Sequence, residues 1–224
     1  MTRMFKTVTR TWNPYVGCTY WCYRGGCWAR RLALDKLNHL PRYRDGFKPK
    51  LIESELTKSF KPDEFIGVSL MGDISFATRE EVLRILKRIE QFPLTWFLIQ
   101  SKNPKKFWEW DVTFPPNVYL GTTIETNRDY VLTKAPPPMN RYINLANYSH
   151  SQKFLSIEPI MDFDLDTLLE WVKKINPYII EVGADNYNNN LPEPKWEGVE
   201  KLLENLRKIC SKVVEKEGLE RLRC

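Results

Sequence analysis

The sequence predicts an α/β protein with parallel strands, arranged as a partial (βα)6 barrel of the TIM type. Three observations predict it. Short apolar runs rich in β-branched and aromatic residues recur along the chain, and most lack the alternation of a half-buried strand; strands covered on both faces read this way. Segments with helical apolar spacing stand between them, and that alternation argues for βα units on a parallel sheet. The 224 residues suit about six such units, whereas a closed eight-fold barrel takes about 250. No repeat or low-complexity segment interrupts the chain, so residues 1–224 read as one domain.

The elements follow in order. A first strand at 6–12 leads into a cysteine-bearing loop at 17–28, and a helix runs from Trp28 to about Asn38. A strand at 65–70 precedes a helix at 78–91. In that helix Thr78 and Glu81 have the spacing of a capping box, and Val82, Leu86 and Ile89 form the apolar stripe. Strands at 95–100 and 118–124 come next. The stretch beyond them, with prolines at 136–138, reads as irregular. A strand at 153–157, a helix at 166–175 with Leu168, Leu169, Val172 and Ile175 on one face, and a strand at 178–182 complete the pattern. The polar stretch 186–194 reads as a loop. A C-terminal helix is predicted at about 196–214, where Val199, Leu202, Leu203, Leu206, Ile209, Cys210 and Val213 share a stripe. Cys210 is then a packing residue, and Cys224 an incidental thiol.

Composition narrows the class. Hydrophobic residues make up 42% and aromatic residues 13%, enough to offset the ordering entropy that a disordered chain cannot meet. No apolar run is long enough for a membrane span, and the start of the chain lacks the apolar stretch of a secretory signal. A cytoplasmic protein is therefore expected. The 34 basic against 28 acidic residues give +6, a mild excess that permits a phosphate-bearing partner without demanding one.

The cysteines say more. Three of the five fall within ten residues, as Cys18-x3-Cys22-x4-Cys27. An odd count with one tight group does not resemble a disulfide framework; it reads as a metal or cluster site in a reducing compartment. Gly17, Gly25 and Gly26 let the backbone wrap round a centre. Three thiolates leave a tetrahedral zinc site open, and the only histidines are His39 and His150. The pattern suits an iron–sulfur cluster whose last iron takes an external ligand. A zinc knuckle with His39 as distant fourth ligand is the alternative.

Sites in parallel α/β folds lie beyond the carboxyl ends of the strands. Met71, Gly72 and Asp73 follow the second strand, as a close backbone approach with a carboxylate or as a plain turn. Ser101 and Lys102, Glu125 and Asn127, Ser156 and Glu158, and Asp185 end later strands. Such groups converge in a small-molecule pocket, or cap helices. Arg30 and Arg31 are placed to bind an anion or to solvate a helix. Trp108 and Trp110, with Lys102, Lys105 and Lys106, form a basic-aromatic patch suited to single-stranded nucleic acid or to a helix docked on the rim. His150 reads as structural.

The segment from Trp12 to Ala33, with Asn13-Pro14-Tyr15-x-Gly17-Cys18 and the cysteines after it, resembles the radical S-adenosylmethionine (SAM) superfamily. It is similar to the spore photoproduct lyase-like group, and more extensively to phage and archaeal radical SAM-like proteins that begin Thr-Trp-Asn-Pro. SLMGDISF at 69–76, IQSKNP at 99–104, GTTIETN at 121–127, FLSIEP at 154–159 and IIEVGAD at 179–185 resemble that branch's strand ends in order, so the match covers roughly residues 10–185. The resemblance implies that Cys18, Cys22 and Cys27 hold three irons of a 4Fe–4S cluster and that SAM chelates the fourth. An external electron donor would then drive SAM cleavage to a 5′-deoxyadenosyl radical, which abstracts hydrogen from a substrate. It further implies that Met71, Gly72 and Asp73 meet the SAM ammonium, Lys102 its carboxylate, and Glu125 or Asn127 its ribose; Glu158 lines the same site or, since the last strand ends lie across the opening, faces the substrate with Asp185 and the loop 186–194. The superfamily's common spacing is Cys-x3-Cys-x2-Cys. Here the second gap is longer and Gly26 stands where an aromatic residue packs near adenine, which leaves that contact to Tyr23 or Trp28. The implied substrate is a nucleic-acid lesion or base, or else a peptide or small metabolite. A non-catalytic nucleic-acid-binding protein with a structural metal site is the competing expectation.

Overall fold

The computed structural model describes residues 4–223. Seven parallel strands form one curled, half-barrel sheet. In sheet order they are β1 (Arg10–Trp12), β4 (Phe65–Val68), β5 (Trp96–Gln100), β6 (Val118–Thr123), β7 (Lys153–Ile157), β8 (Ile179–Val182) and β9 (Lys212–Glu215). A separate antiparallel pair, β2 (Tyr15–Val16) with β3 (Lys50–Leu51), braces the cysteine loop. The predicted partial barrel of parallel strands is present.

The register explains why the strands show little alternation. Leu98 pairs with Gly67 and Tyr119. Leu98, Tyr119 and Phe154 point into the concave side and pack on Phe5 and Val8. Their neighbours Phe97, Ile99, Leu120 and Leu155 point outward into the helix-covered core. Both faces are apolar because both are buried.

Helix α1 (Trp28–Arg31) passes directly into a π-helical turn at Leu32–Lys36. Helix α2 (Arg79–Ile89) carries the expected capping box: the Glu81 amide donates to Thr78 Oγ1 at 3.2 Å, and the Thr78 amide donates to Glu81 Oε2 at 2.8 Å. Then come α3 (Lys105–Glu109), α4 (Pro138–Asn147), α5 (Leu165–Ile175) and α6 (Trp196–Ile209). No described helix is long and apolar enough to cross a membrane.

Three expectations are corrected. The first strand is only Arg10–Trp12, because the chain before it turns into the barrel: the Lys6 and Thr7 amides donate to Glu181 at 2.9 and 2.8 Å. The stretch expected to be irregular contains α4, which starts at Pro138. Proline is tolerated in the first turn, where its missing N–H has no intrahelical partner anyway. Buried Tyr142 on α4 stacks on Trp171 of α5, with ring centroids 4.7 Å apart. The terminal helix stops at Ile209, and the following β-branched segment adds β9 beside β8. Cys210 ends the helix and is buried as expected. Cys224 lies outside the described residues.

Candidate functional site

A cavity of about 750 Å³ opens at the carboxyl ends of the strands. Cys18, Cys22 and Cys27 line it, as do Glu158, Asp185 and Lys216 from later elements. The cysteine loop is pinned at its start. The Gly17 amide donates to Met71 O at 2.9 Å, and the Asp73 amide donates to Gly17 O at 3.2 Å. A Cβ on Gly72 would lie 2.5 Å from Gly17 N, so this approach requires glycine. Gly72 therefore seats the cysteine loop on the end of β4.

The lengthened gap between Cys22 and Cys27 is absorbed by a left-handed turn at Tyr23, Arg24 and Gly25, with φ of 54°, 53° and 96°. That conformation costs about 1–2 kcal/mol for each non-glycine residue, and surrounding contacts hold it. The Tyr23 amide donates to Leu132 O at 2.7 Å, and its phenol donates to Glu125 Oε1 at 2.7 Å. The Tyr20 amide donates to Cys18 Sγ at 3.3 Å, and Cys22 Sγ lies 3.3 Å from Thr133 Oγ1. Burial raises the pKa of the Cys18 thiol; the Asp73 charge and the neighbouring Cys22 and Cys27 raise it further. Burial also pushes the Cys27 thiol up, against backbone amides of Arg30 and Ala29 that favour its thiolate.

The predicted residues divide. Tyr23, Trp28, Gly72, Asp73, Lys102 and Glu158 line the cavity. The Asp73 carboxylate is occupied within the protein: it accepts from the Ser75 amide at 3.0 Å, the Ser101 hydroxyl at 2.6 Å and the Lys102 amide at 2.9 Å. It ties the ends of β4 and β5 together. Met71, Glu125 and Asn127, also expected at the SAM site, do not line the cavity. Met71 packs beneath the loop against Val16, Ala29 and Phe47. Asn127 is taken up by Asp164, whose amide donates to Asn127 Oδ1 at 2.8 Å.

Glu125 lies behind Tyr23, 1% exposed, and its partners come from three places in the sequence. Arg141 of α4, also 1% exposed, donates to Oε2 at 2.7 Å; Tyr23 and Lys102 both reach Oε1. Lys102 Nζ also donates to the Tyr23 oxygen at 2.7 Å. Burial opposes the Glu125 charge, but the Arg141 and Lys102 cations outweigh it and hold the carboxyl at about 2. Sequence reasoning missed Arg141 because it lies in the stretch read as irregular. It also missed Lys216, which follows β9 and pairs with Glu158.

The loop after β8 crosses the mouth. Asp185 organises it, accepting from the Tyr187 amide at 3.2 Å and from Asn189 Nδ2 at 2.7 Å. Arg31 donates to Tyr187 O at 3.1 Å and to Asn189 Oδ1 at 3.3 Å, so the loop is clasped to the helix after the cysteines. A Cβ on Gly26 would sit 1.8 Å from Asn189 Oδ1. The position before Cys27 is thus empty of a side chain because Asn189 fills the space. Gly26→Ala is expected to displace Asn189 and loosen the clasp. Faster alkylation of Cys27 and faster proteolysis between Asn186 and Asn190 check this; rates equal to the parent protein's would refute it.

The remaining candidates make contacts within the protein. Arg30 stacks on Trp21, 4.4 Å from its ring centre. Trp110 is buried and donates to Ala77 O at 3.0 Å, while Trp108 packs edge-on against Tyr148. Lys105 and Lys106 pair with Glu109 on the same helix. His150 Nε2 lies 2.6 Å from Val118 O. His39 is exposed and away from the cavity lining. Among the described residues, no three His, Cys, Asp or Glu side chains gather closely enough to hold a single metal ion. Three cysteine thiols lining one cavity are the donor set that an iron–sulfur group would use, each thiolate on its own iron.

Residues 4–208 match the model of DUF5131, described as a protein of unknown function. The chain belongs to this family. No curated protein matches it. Two solved structures share the fold of this DUF5131 chain. One is a double variant of spore photoproduct lyase with AdoMet and a dinucleoside spore photoproduct bound, at a TM-score of 0.55. The other is spore photoproduct lyase complexed with the dinucleoside spore photoproduct, at 0.57. Each is 10% identical and covers 93% of this chain, which spans 64% of their length.

Proposed function

We propose that this DUF5131 chain is a radical SAM enzyme. The observation that carries the reading is the placement of Cys18, Cys22 and Cys27 on one wall of a 750 Å³ cavity, at the strand ends of a half-barrel folded like spore photoproduct lyase. The three cysteines would hold three irons of a 4Fe–4S cluster, with SAM as external ligand to the fourth. When bound, cluster and SAM supply a 5′-deoxyadenosyl radical that takes hydrogen from the substrate, given an external electron donor.

The chain's own groups suit this role. Amides at Tyr20, Ala29 and Arg30 donate to sulfur, which stabilises thiolates in a buried wall. The Lys102 ammonium, steadied by Glu125 and Tyr23, places positive charge beside Cys22 and is available to a carboxylate of SAM. Tyr23 and Trp28 present aromatic surface for adenine. The clasped loop limits water at the mouth. The dinucleoside in both lyase structures supports a nucleic-acid component as substrate.

Anaerobic reconstitution with iron and sulfide tests the reading. The expected product has an absorbance that dithionite bleaches, and with SAM and reductant it releases 5′-deoxyadenosine. A protein that takes up zinc stoichiometrically, with no iron–sulfur absorbance and no SAM cleavage, would instead be a nucleic-acid-binding protein with a structural metal site.

A further inference from the structure

The cavity continues beyond the cysteines into a region lined by Lys6, Gln100, Ser156, Tyr187 and Lys216. Its floor changes character along the strands. Leu98 of β5 and Phe154 of β7 belong to the apolar cluster that packs on Phe5. Two residues further on, still facing inward, come Gln100 and Ser156. They flank Thr123 of β6: Gln100 Nε2 donates to Thr123 Oγ1 at 2.7 Å, and Thr123 stands opposite Ser156 in the register.

Two polar groups on this floor lack partners. Gln100 Oε1 is buried and accepts no hydrogen bond. Exchanging the oxygen and nitrogen of the carboxamide leaves one polar atom free either way. Ser156 is 2% exposed, and its hydroxyl bonds to no described residue. Buried polar groups are costly to leave unpaired, and both residues line the same cavity. On the lid, the half-exposed Tyr187 offers a ring to the same space. At the rim the exposed Lys6 lines the cavity, and its ammonium is close enough to the Glu220 carboxylate to favour that group's charged form. Lys216 is neutralised by Glu158 and also donates to Met4 O, so that wall adds no net charge.

We infer that this region is a nucleotide subsite. The carboxamide of Gln100 and the hydroxyl of Ser156 read a base that presents a ring N–H beside a carbonyl, as uracil and guanine do. Tyr187 covers the base, since every base has a face that stacks on an aromatic ring. Lys6 meets the phosphate. A peptide amide would satisfy the floor but leave Tyr187 and Lys6 without a role. The inference rests on the proposed SAM-enzyme reading for its location next to the reacting atoms, and it deepens that reading by naming a substrate class and the groups that recognise it.

Calorimetric titration of the cluster-loaded protein, without reductant, tests it with UMP, 3-methyl-UMP, CMP and N-acetylalanine methylamide as probes. UMP is expected to bind about tenfold more tightly than 3-methyl-UMP or CMP, the effect of one lost hydrogen-bond pairing. Ser156→Ala and Gln100→Met are each expected to erase that preference, and Lys6→Ala to weaken UMP but not uridine, all at unchanged iron content. Equal binding of UMP and 3-methyl-UMP by the parent protein would overturn the inference without any substitution. So would a methylamide that binds as tightly as UMP. Iron content and release of 5′-deoxyadenosine are scored separately, so the subsite can fail while the cofactor reading stands.

Discussion

Alanine at Cys18, Cys22 or Cys27 is expected to leave the reconstituted protein without its cluster, while Cys210→Ala keeps it. The three thiols line one cavity, and Cys22 and Cys27 both raise the pKa of Cys18. Cys210 packs in the outer core, with its sulfur 3.4 Å from Tyr178 O. A cluster bridged by three protein thiolates loses an iron ligand with each substitution, and nothing nearby replaces it: His39 is exposed and Asp73 is fully engaged. Iron and sulfide per chain, read beside circular dichroism as a control for folding, decide the matter. Full iron content in any of the first three variants would remove that cysteine from the ligand set.

Arg141→Met is expected to destabilise the fold by about 3–5 kcal/mol, the usual effect of stranding one member of a buried ion pair. For a chain of this size that lowers Tm by about 10 °C. Arg141 does more than balance charge: it donates to Thr123 O at 3.0 Å and Pro136 O at 2.6 Å, fastening α4 to the end of β6. The pair also sets an acid dependence. The Glu125 carboxyl is held at about 2, below its ordinary value of 4.5. Its contribution is therefore complete above about 4.5 and fades as pH falls through about 2. The stabilities of parent and variant should differ at neutral pH and converge in acid. Urea unfolding at several pH values measures this; a neutral-pH difference below about 1 kcal/mol would contradict the buried-pair account.

What the sequence revealed follows from the range of the interactions. The capping box of α2 and the cysteine spacing are local, and both are plain in the chain. Helix α4 was hidden by three prolines, although one of them is its first residue. Strand β9 was hidden because Val213 happens to continue the helical phase of α6. Only its pairing with β8 fixes it as a strand. Glu125 was legible as a polar strand end, but its direction was not. It turns away from the cavity because its cations arrive from α4 and from the end of β5. Lys216 was missed for the same reason: its partner, Glu158, is far away in sequence, and the loop 186–194 was legible while the packing of its Asn189 on distant Gly26 was not.

The segment that plugs the concave side has a consequence for the order of folding. Its hydrogen bonds to Glu181 join positions 174 and 175 residues apart, and closing so long a loop is slow. This segment, made before the strands it plugs, cannot complete its contacts until β8 has formed, so Phe5 must wait in a half-built barrel while β4 to β7 assemble. During that interval the inner apolar face is open to other chains, which makes it the stage at which aggregation competes. Pulse-labelling hydrogen exchange during refolding is expected to protect the Lys6 and Thr7 amides later than those of β5 and β6. Simultaneous protection would mean that plug and sheet form in one step.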